Sequence, residues 1–195
     1  NTKIFNLLES DDVINTLKAL KKLKVRIDKK DDCHEIFGQG GFFDEPSTSL
    51  NFGNSGTGVR LMAGLLSTSE INVTLTGDKS LSSRPMKRII KPLQKMNVSI
   101  TDKNGLLPIK INNEKKKHVP IRHTLEIGSA QVKSCLLLAA LNVKGTTKII
   151  EKIPSRDHTE IMLKYLGADL TKKKNIISLS SPNFLKPKDI KIPGD

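Results

Sequence analysis

The hydrophobic pattern along this chain changes period several times, and each change marks an element. Residues 59–66 and 132–141 are apolar nearly all round, interrupted mainly by Arg60, Lys133 and Ser134. That is the pattern of helices surrounded by protein. Two other stretches carry a helical stripe with a polar back. Val13, Leu17 and Leu20 form one stripe, while Ile161, Met162, Tyr165 and Leu166 form the other, with Glu160 and Lys164 spaced to pair across solvent. Ser10 and Ser155 stand where N-caps belong, and Gly167 where a helix-ending left-handed residue belongs.

Past each amphipathic stretch the pattern turns to strand. Residues 25–28 and 33–37, 98–101 and 108–112, and 169–171 and 176–180 read as three strand pairs. The Lys103-Asn104-Gly105 and Lys172-Lys173-Lys174-Asn175 stretches read as hairpin turns. Each pair follows a similar helix ending, at residues 20–25, 93–98 and 163–168, whose starts lie 73 and 70 positions apart. The chain therefore reads as an α/β threefold repeat. Each complete unit runs β, buried helix, β, surface helix, β, β.

Two small-residue loops stand directly before the apolar stretches. Gly53-Asn54-Ser55-Gly56-Thr57-Gly58 precedes the first and Gly128-Ser129-Ala130-Gln131 the second. Successive N–H groups at a helix N-terminus carry partial positive charge, and glycine allows a phosphate or carboxylate to approach the backbone closely. Alone, the first loop fits an ordinary helix cap equally well. It lacks the Gly-Lys-Ser/Thr of a P-loop and the glycine spacing of a dinucleotide fingerprint. Each loop, however, leads to a Ser-Arg pair, and 28 positions separate both Gly56 from Arg84 and Gly128 from Arg156. The equal spacing argues for an internal duplication.

Composition narrows the class. With 195 residues, 36% of them hydrophobic, the chain can bury a sizeable core, and it has no apolar run long enough to span a bilayer. No signal peptide is visible at Asn1, and Cys33 and Cys135 lack metal-ligand spacing, so reduced thiols in a cytosolic protein are expected. A net charge of +13 invites a nucleic-acid reading, yet the charge is diffuse and aromatic residues make up 4%. Nothing resembles a base-stacking platform. Lys115-Lys116-Lys117 and Lys172-Lys173-Lys174 read as solvated turns. His158 lies too close in sequence to Ser155 and Asp157 to build a triad at a helix start. His34, His118 and His123 form no constellation.

Four ordered motifs carry a family resemblance. They are Asn54-Ser55-Gly56-Thr57-Gly58-Val59-Arg60-Leu61-Met62-Ala63-Gly64, and Thr76-Gly77-Asp78-Lys79-Ser80-Leu81 running into Arg84-Pro85-Met86. Ser129-Ala130-Gln131-Val132-Lys133-Ser134 and Ser155-Arg156-Asp157-His158-Thr159-Glu160 complete the set. Together they closely resemble the EPSP synthases (5-enolpyruvylshikimate-3-phosphate synthases), from Phe5 to Asp195. The resemblance implies two domains, each of three βαβαββ units around buried parallel helices, in agreement with the repeat. On it, residues 1–190 make most of one substrate-binding domain, incomplete at the N-terminus, and residues 191–195 start the crossover to the other. The family's Lys-Ser motif is then expected upstream of Asn1, and its proton-transfer acid and lysine beyond Asp195. The isolated piece is expected to be inactive.

The reaction implied by the resemblance belongs to the shikimate pathway of aromatic amino acid biosynthesis. It transfers the enolpyruvyl group of phosphoenolpyruvate to the 5-hydroxyl of shikimate 3-phosphate and releases phosphate; glyphosate competes with phosphoenolpyruvate. Matching positions imply that Asn54, Gly56, Thr57, Arg84 and Gln131 surround phosphoenolpyruvate. Ser129, Ala130, Gln131, Ser155 and Arg156 are implied to hold shikimate 3-phosphate. No catalytic group, metal ligand or cofactor is assigned within these residues. The implied partners are the two small molecules, without nucleic acid or membrane, in a cytoplasmic enzyme that is monomeric when complete. Plainer roles compete: Ser129 and Ser155 as N-caps, Arg84 as a solvated helix-start residue, Lys87 and Arg88 as surface charges, and Arg60 as a structural group that needs a partner if buried. The sister enolpyruvyl transferases acting on UDP-N-acetylglucosamine share the fold but typically carry a cysteine before their Arg-Pro element, and residues 77–83 contain none. Such a transferase, or a non-catalytic basic module, is the alternative.

Overall fold

The computed structural model describes residues 1–112, 117–181 and 185–193. The chain runs through β1 (Thr2–Phe5), α1 (Asp11–Lys22), β2 (Arg26–Lys29) and β3 (Cys33–Phe37). Next come β4 (Leu50–Asn51), α2 (Gly56–Ser67), β5 (Val73–Thr76), the short α3 (Lys79–Ser82), α4 (Lys87–Lys95), β6 (Ser99–Lys103) and β7 (Leu106–Asn112). The third stretch holds β8 (Arg122–Leu125), α5 (Ala130–Ala140), β9 (Gly145–Glu151), α6 (His158–Tyr165), β10 (Leu170–Lys173) and β11 (Ile176–Ser181), followed by β12 (Ile190–Lys191).

These strands form three four-stranded sheets, in the orders β12-β1-β3-β2, β4-β5-β7-β6 and β8-β9-β11-β10. In each, the first two strands pair in parallel and the rest antiparallel. The βαβαββ unit is thus complete in the second and third sheets, apart from the extra short α3. In the first sheet the leading position is taken by β12, which joins β1 through Ile4 and Ile190.

The repeated helix endings share one backbone device. Lys24, Asn97 and Gly167 all have positive φ, at 63°, 66° and 95°. Around each, two N–H groups reach back into the helix: Val25 to Leu20 and Lys24 to Lys21, Val98 to Leu93 and Asn97 to Gln94, Ala168 to Leu163 and Gly167 to Lys164. This is the Schellman pattern, which satisfies the last carbonyls of the helix and turns the chain into the following strand. The hairpin turn after β6 is likewise local, with Asn104 at φ 56° and Gly105 at φ 81°, the consecutive left-handed pair that a two-residue hairpin loop requires.

The apolar stretches become α2 and α5, which lie side by side in the core. Thr57 meets Gln131 at one end of the pair, and the Thr68 hydroxyl donates to the Ala139 carbonyl at the other. The two helices therefore run parallel, with their N-termini together. They touch closely midway, where a Cβ built on Gly64 would lie 2.1 Å from the Cys135 carbonyl oxygen. Glycine at that position is what lets the two backbones meet.

Some expectations need correction. Ile161, Met162 and Tyr165 are 59%, 41% and 48% exposed, and the buried face of α6 is Glu160 with Leu163. Glu160 does not pair with Lys164 across solvent; its carboxylate lies 2.7 Å from Lys133 Nζ in the interior. The need of a buried lysine for counter-charge has turned α6 away from its apolar stripe. Ser155 is not a cap either, because α6 begins after Asp157. Ser10 does occupy the N-cap position of α1, though without a side-chain hydrogen bond. Lys172, Lys173 and Lys174 are exposed as expected, but the turn is only Lys174-Asn175, since Lys172 and Lys173 pair in β10, and Lys115, Lys116, Gly194 and Asp195 lie outside the described residues. Cys33 and Cys135 are buried and unbridged. No described helix is long and apolar enough to cross a membrane.

Candidate functional site

The first loop is built to keep its N–H groups forward. Gly53, at φ 55°, turns the chain, and its N–H donates to Asn51 Oδ1 at 2.8 Å. Ser55 then caps α2, its hydroxyl accepting the Gly58 N–H at 3.0 Å. Arg84 arrives from the end of α3, a turn capped by Asp78, which accepts the Leu81 N–H at 2.7 Å. The Arg84 guanidinium donates to Asn54 Oδ1. A Cβ on Gly56 would stand 2.9 Å from Arg60 Nη1 and 3.1 Å from Arg84 Nη1. The bare backbone at Gly56 thus leaves room for two guanidinium groups at one helix N-terminus.

Arg60, the polar interruption of α2, faces this site. It donates to the Gly56 carbonyl and to Gln131 Oε1, both at 3.0 Å, and to the Pro85 carbonyl at 3.2 Å. Burial, followed by the like charges of Arg84 and Arg88, pulls its pKa below the ordinary arginine value. Its hydrogen-bond partners are neutral, so the positive field is left for an incoming anion.

The second loop meets the first through Gln131. Ser129 caps α5, accepting the Val132 N–H at 3.4 Å, and Gln131 Nε2 donates to Thr57 Oγ1 at 2.9 Å. Between the N-terminal turns of α2, α5 and α6 lies a cavity of about 250 Å³, lined by Thr57, Leu61, Ala130, Gln131, Ser134, Arg156, His158 and Thr159. Partial positive charge from three helix ends and the exposed Arg156 meets in this space. One turn beyond Ala130 on α5, the Ser134 hydroxyl is hydrogen-bonded to that of Thr159 on α6 at 2.6 Å.

Of the residues singled out in the sequence, Thr57, Ala130, Gln131 and Arg156 line one cavity. Asn54, Gly56 and Arg84 cluster on its α2 side, joined to it through Arg60, and Ser129 caps the helix behind Ala130. Ser155 is placed differently. Its hydroxyl donates to Glu151 Oε1 at 2.5 Å. Residues not placed here from sequence are Arg60, Leu61, Ser134, His158 and Thr159. Arg60 could have been found as the lone charge one helical turn beyond Gly56, and His158 as the first residue of α6, matching Gly56 and Ala130 at the starts of their helices. The cavity lining holds no carboxylate, and no cluster of potential metal ligands occurs among the described residues. The arrangement can bind and orient anions.

Comparison with known proteins places the chain in a family. The family model of EPSP synthase (3-phosphoshikimate 1-carboxyvinyltransferase) matches residues 1–195. The 3-phosphoshikimate 1-carboxyvinyltransferase of Streptococcus pyogenes serotype M2 (strain MGAS10270) is 44% identical over 197 aligned positions, covering 100% of this chain and 46% of that protein. The serotype M49 (strain NZ131) protein of the same name also shows 44% identity over 197 positions. The structure of EPSP synthase from Acinetobacter baumannii superposes with a TM-score of 0.94 at 39% identity, covering 98% of this chain and 44% of that one. The chain spans about half the length of the curated relatives it matches. By sequence and by fold, it belongs to the EPSP synthase (3-phosphoshikimate 1-carboxyvinyltransferase) family.

Proposed function

We propose that this chain is the shikimate-3-phosphate-binding part of an EPSP synthase, the transferase that moves the enolpyruvyl group of phosphoenolpyruvate to the 5-hydroxyl of shikimate 3-phosphate and releases phosphate. The observation that carries the reading is the Gln131 bridge, which joins the two anion-loop motifs at one cavity. Both substrates carry a phosphate and a carboxylate. Bringing such anions together requires neutralising groups held in place beforehand, and guanidinium forks with helix N-termini do this with little reorganisation.

On this reading Arg84 and Gly56 receive phosphoenolpyruvate, with Asn54 and Thr57 shaping the loop. Ser129, Ala130, Ser155 and Arg156 hold shikimate 3-phosphate, and Gln131 lies between the two ligands. Residues 1–190 form the substrate-binding domain and residues 191–195 lead toward a second. The enzyme works in the cytoplasm, as a monomer, on small molecules alone. No proton-transfer role is assigned to any residue of this chain.

Titration calorimetry of the 195-residue chain tests the binding half of this reading. Shikimate 3-phosphate is expected to bind more tightly than phosphoenolpyruvate; equal or reversed affinities would count against the assignment. A chimaera in which this chain replaces the matching part of the Streptococcus pyogenes protein is expected to release phosphate only when both substrates are present, and the chain alone to release none.

A further inference from the structure

Lys133 is completely buried in α5, an unusual place for an ammonium group. It meets three elements at once. Its Nζ lies 3.1 Å from Glu151 Oε1 at the end of β9, 2.7 Å from Glu160 Oε1 on α6, and 3.4 Å from the Ser155 carbonyl between them. The side chains of Lys133, Glu151 and Glu160 are 0%, 2% and 4% exposed. Neither Glu160 oxygen has a directed hydrogen bond, so its short contact with Lys133 is ionic.

Such a cluster adds little stability over an apolar replacement of equal volume, since desolvation offsets most of the attraction. Its geometry does more. The Ser155 carbonyl accepts from Lys133, and the Ser155 hydroxyl donates to Glu151, which Lys133 also holds. At its other end, the Lys133 main-chain N–H donates to the Ser129 carbonyl at 3.1 Å. One residue therefore ties Ser129, at the start of α5, to Ser155 in the corner before α6. That corner lies at the surface: Lys152, Ile153, Pro154 and Arg156 are exposed.

We propose that Lys133 is a positioning residue, which holds the Ser155-Arg156 corner against the Ser129 end of α5 through Glu151 and the Ser155 main chain. It touches no ligand. Its effect on shikimate 3-phosphate rests on the site reading proposed above, whereas its hold on the corner does not. Phosphoenolpyruvate, on the α2 side, is outside its reach.

The test combines amide hydrogen exchange with ligand titration on the full chain, using Lys133→Met, the isosteric Glu151→Gln and the doubly changed Lys133→Met/Glu151→Gln, with Glu160→Gln as reference. In the ligand-free Lys133→Met chain, exchange across residues 153–158 should quicken at least about tenfold, while amides in the middle of α5 and in β9 stay within about twofold. Glu151→Gln should show the same local change to a smaller extent, and it keeps the proposal testable if Lys133→Met does not fold. Affinity for shikimate 3-phosphate should fall about tenfold with affinity for phosphoenolpyruvate unchanged, and the loss should shrink, Arg156 still depending on the corner, when Ser155→Ala is already present. Glu160→Gln, which faces Lys133 but not Ser155, should leave shikimate 3-phosphate binding within about twofold. Unchanged exchange in the corner, or equal quickening throughout α5 and β9, would overturn the proposal. A parent chain that binds no shikimate 3-phosphate while its corner loosens in the variants would uphold the positioning role and overturn the site reading instead.

Discussion

Arg60 and Gln131 stand 71 positions apart and share a 3.0 Å hydrogen bond, the guanidinium donating to the amide oxygen. The same amide donates to Thr57 with its nitrogen, so Gln131 spends both ends on α2. Removing it frees a half-buried arginine and opens the cavity between the helices. Gln131→Ala is expected to weaken shikimate 3-phosphate and phosphoenolpyruvate together, by about 1–3 kcal/mol each, the usual cost of orphaning a charged hydrogen-bond network. Ser129→Ala should weaken the first ligand alone. Titration of each variant with both ligands separates the two patterns, and selective loss in Gln131→Ala would contradict its bridging role.

Arg84 and Lys174 offer a contrast between a placed and a solvated cation. Arg84 is held by Asn54 beside Gly56, while Lys174 is exposed in a hairpin turn. Arg84→Ala should reduce phosphoenolpyruvate use by about 2–5 kcal/mol in the chimaeric enzyme, and Lys174→Ala by under about 0.5 kcal/mol. Steady-state kinetics measure both, and similar behaviour of the two variants would remove Arg84 from the site.

Gly56→Ala probes the same end of α2 from the backbone. The added methyl group would press on Arg60 Nη1 and Arg84 Nη1, the far ends of two flexible side chains. Folding stability should change by less than about 1 kcal/mol, since alanine favours the helix. Phosphoenolpyruvate affinity should fall, and the resemblance to EPSP synthases predicts weaker inhibition by glyphosate as well. Kinetics across a glyphosate titration, beside a denaturant melt, check the three statements.

Gly64→Ala should behave in the opposite way, harming the fold. Its Cβ would overlap the Cys135 carbonyl at 2.1 Å, and two helix backbones must part to admit it. A loss of about 3 kcal/mol is expected, lowering Tm by about 6–12 °C for a chain of this size. Gly38→Ala, where a Cβ meets nothing within 4 Å, is the control and should shift Tm by under about 2 °C.

Cys135 gives the chain a titration at alkaline pH. Burial pushes its thiol up to about 12 from an ordinary 9.0. The folded state thus favours the protonated thiol more than the unfolded state does. The resulting stability is fully present below pH 9, and is lost as pH rises toward 12. The difference in unfolding free energy between the parent chain and Cys135→Ala should be constant up to about pH 9 and shrink above it. Urea titrations at pH 8, 9, 10 and 11 read this directly, and a constant difference would disprove the burial effect.

The parts of the fold legible in sequence are those set by local chemistry. The three helix endings are Schellman turns made within six residues each, so their likeness at residues 20–25, 93–98 and 163–168 needs no tertiary information. The face of α6 was illegible because the partner of Glu160 is Lys133, on another helix, and the ion pair outweighs the apolar stripe of Ile161 and Tyr165. The entry of β12 into the first sheet was equally hidden, since a two-residue strand carries no period and pairs across the length of the chain. At the site, the loops were visible as composition, whereas Arg60 and His158 join it only once three helix ends are set around one cavity.

Because α2 and α5 run parallel, their positive ends do not cancel as those of antiparallel neighbours would; they repel. With Arg60 and Arg84 added, this cleft is where positive charge converges in the fold, and an anion bound there would offset that charge. Buffer composition thereby becomes a structural variable. Any anion that occupies the cleft in the folded state alone raises apparent stability by RT ln(1 + [L]/Kd), so a melt recorded in phosphate reports on occupancy as well as on the core.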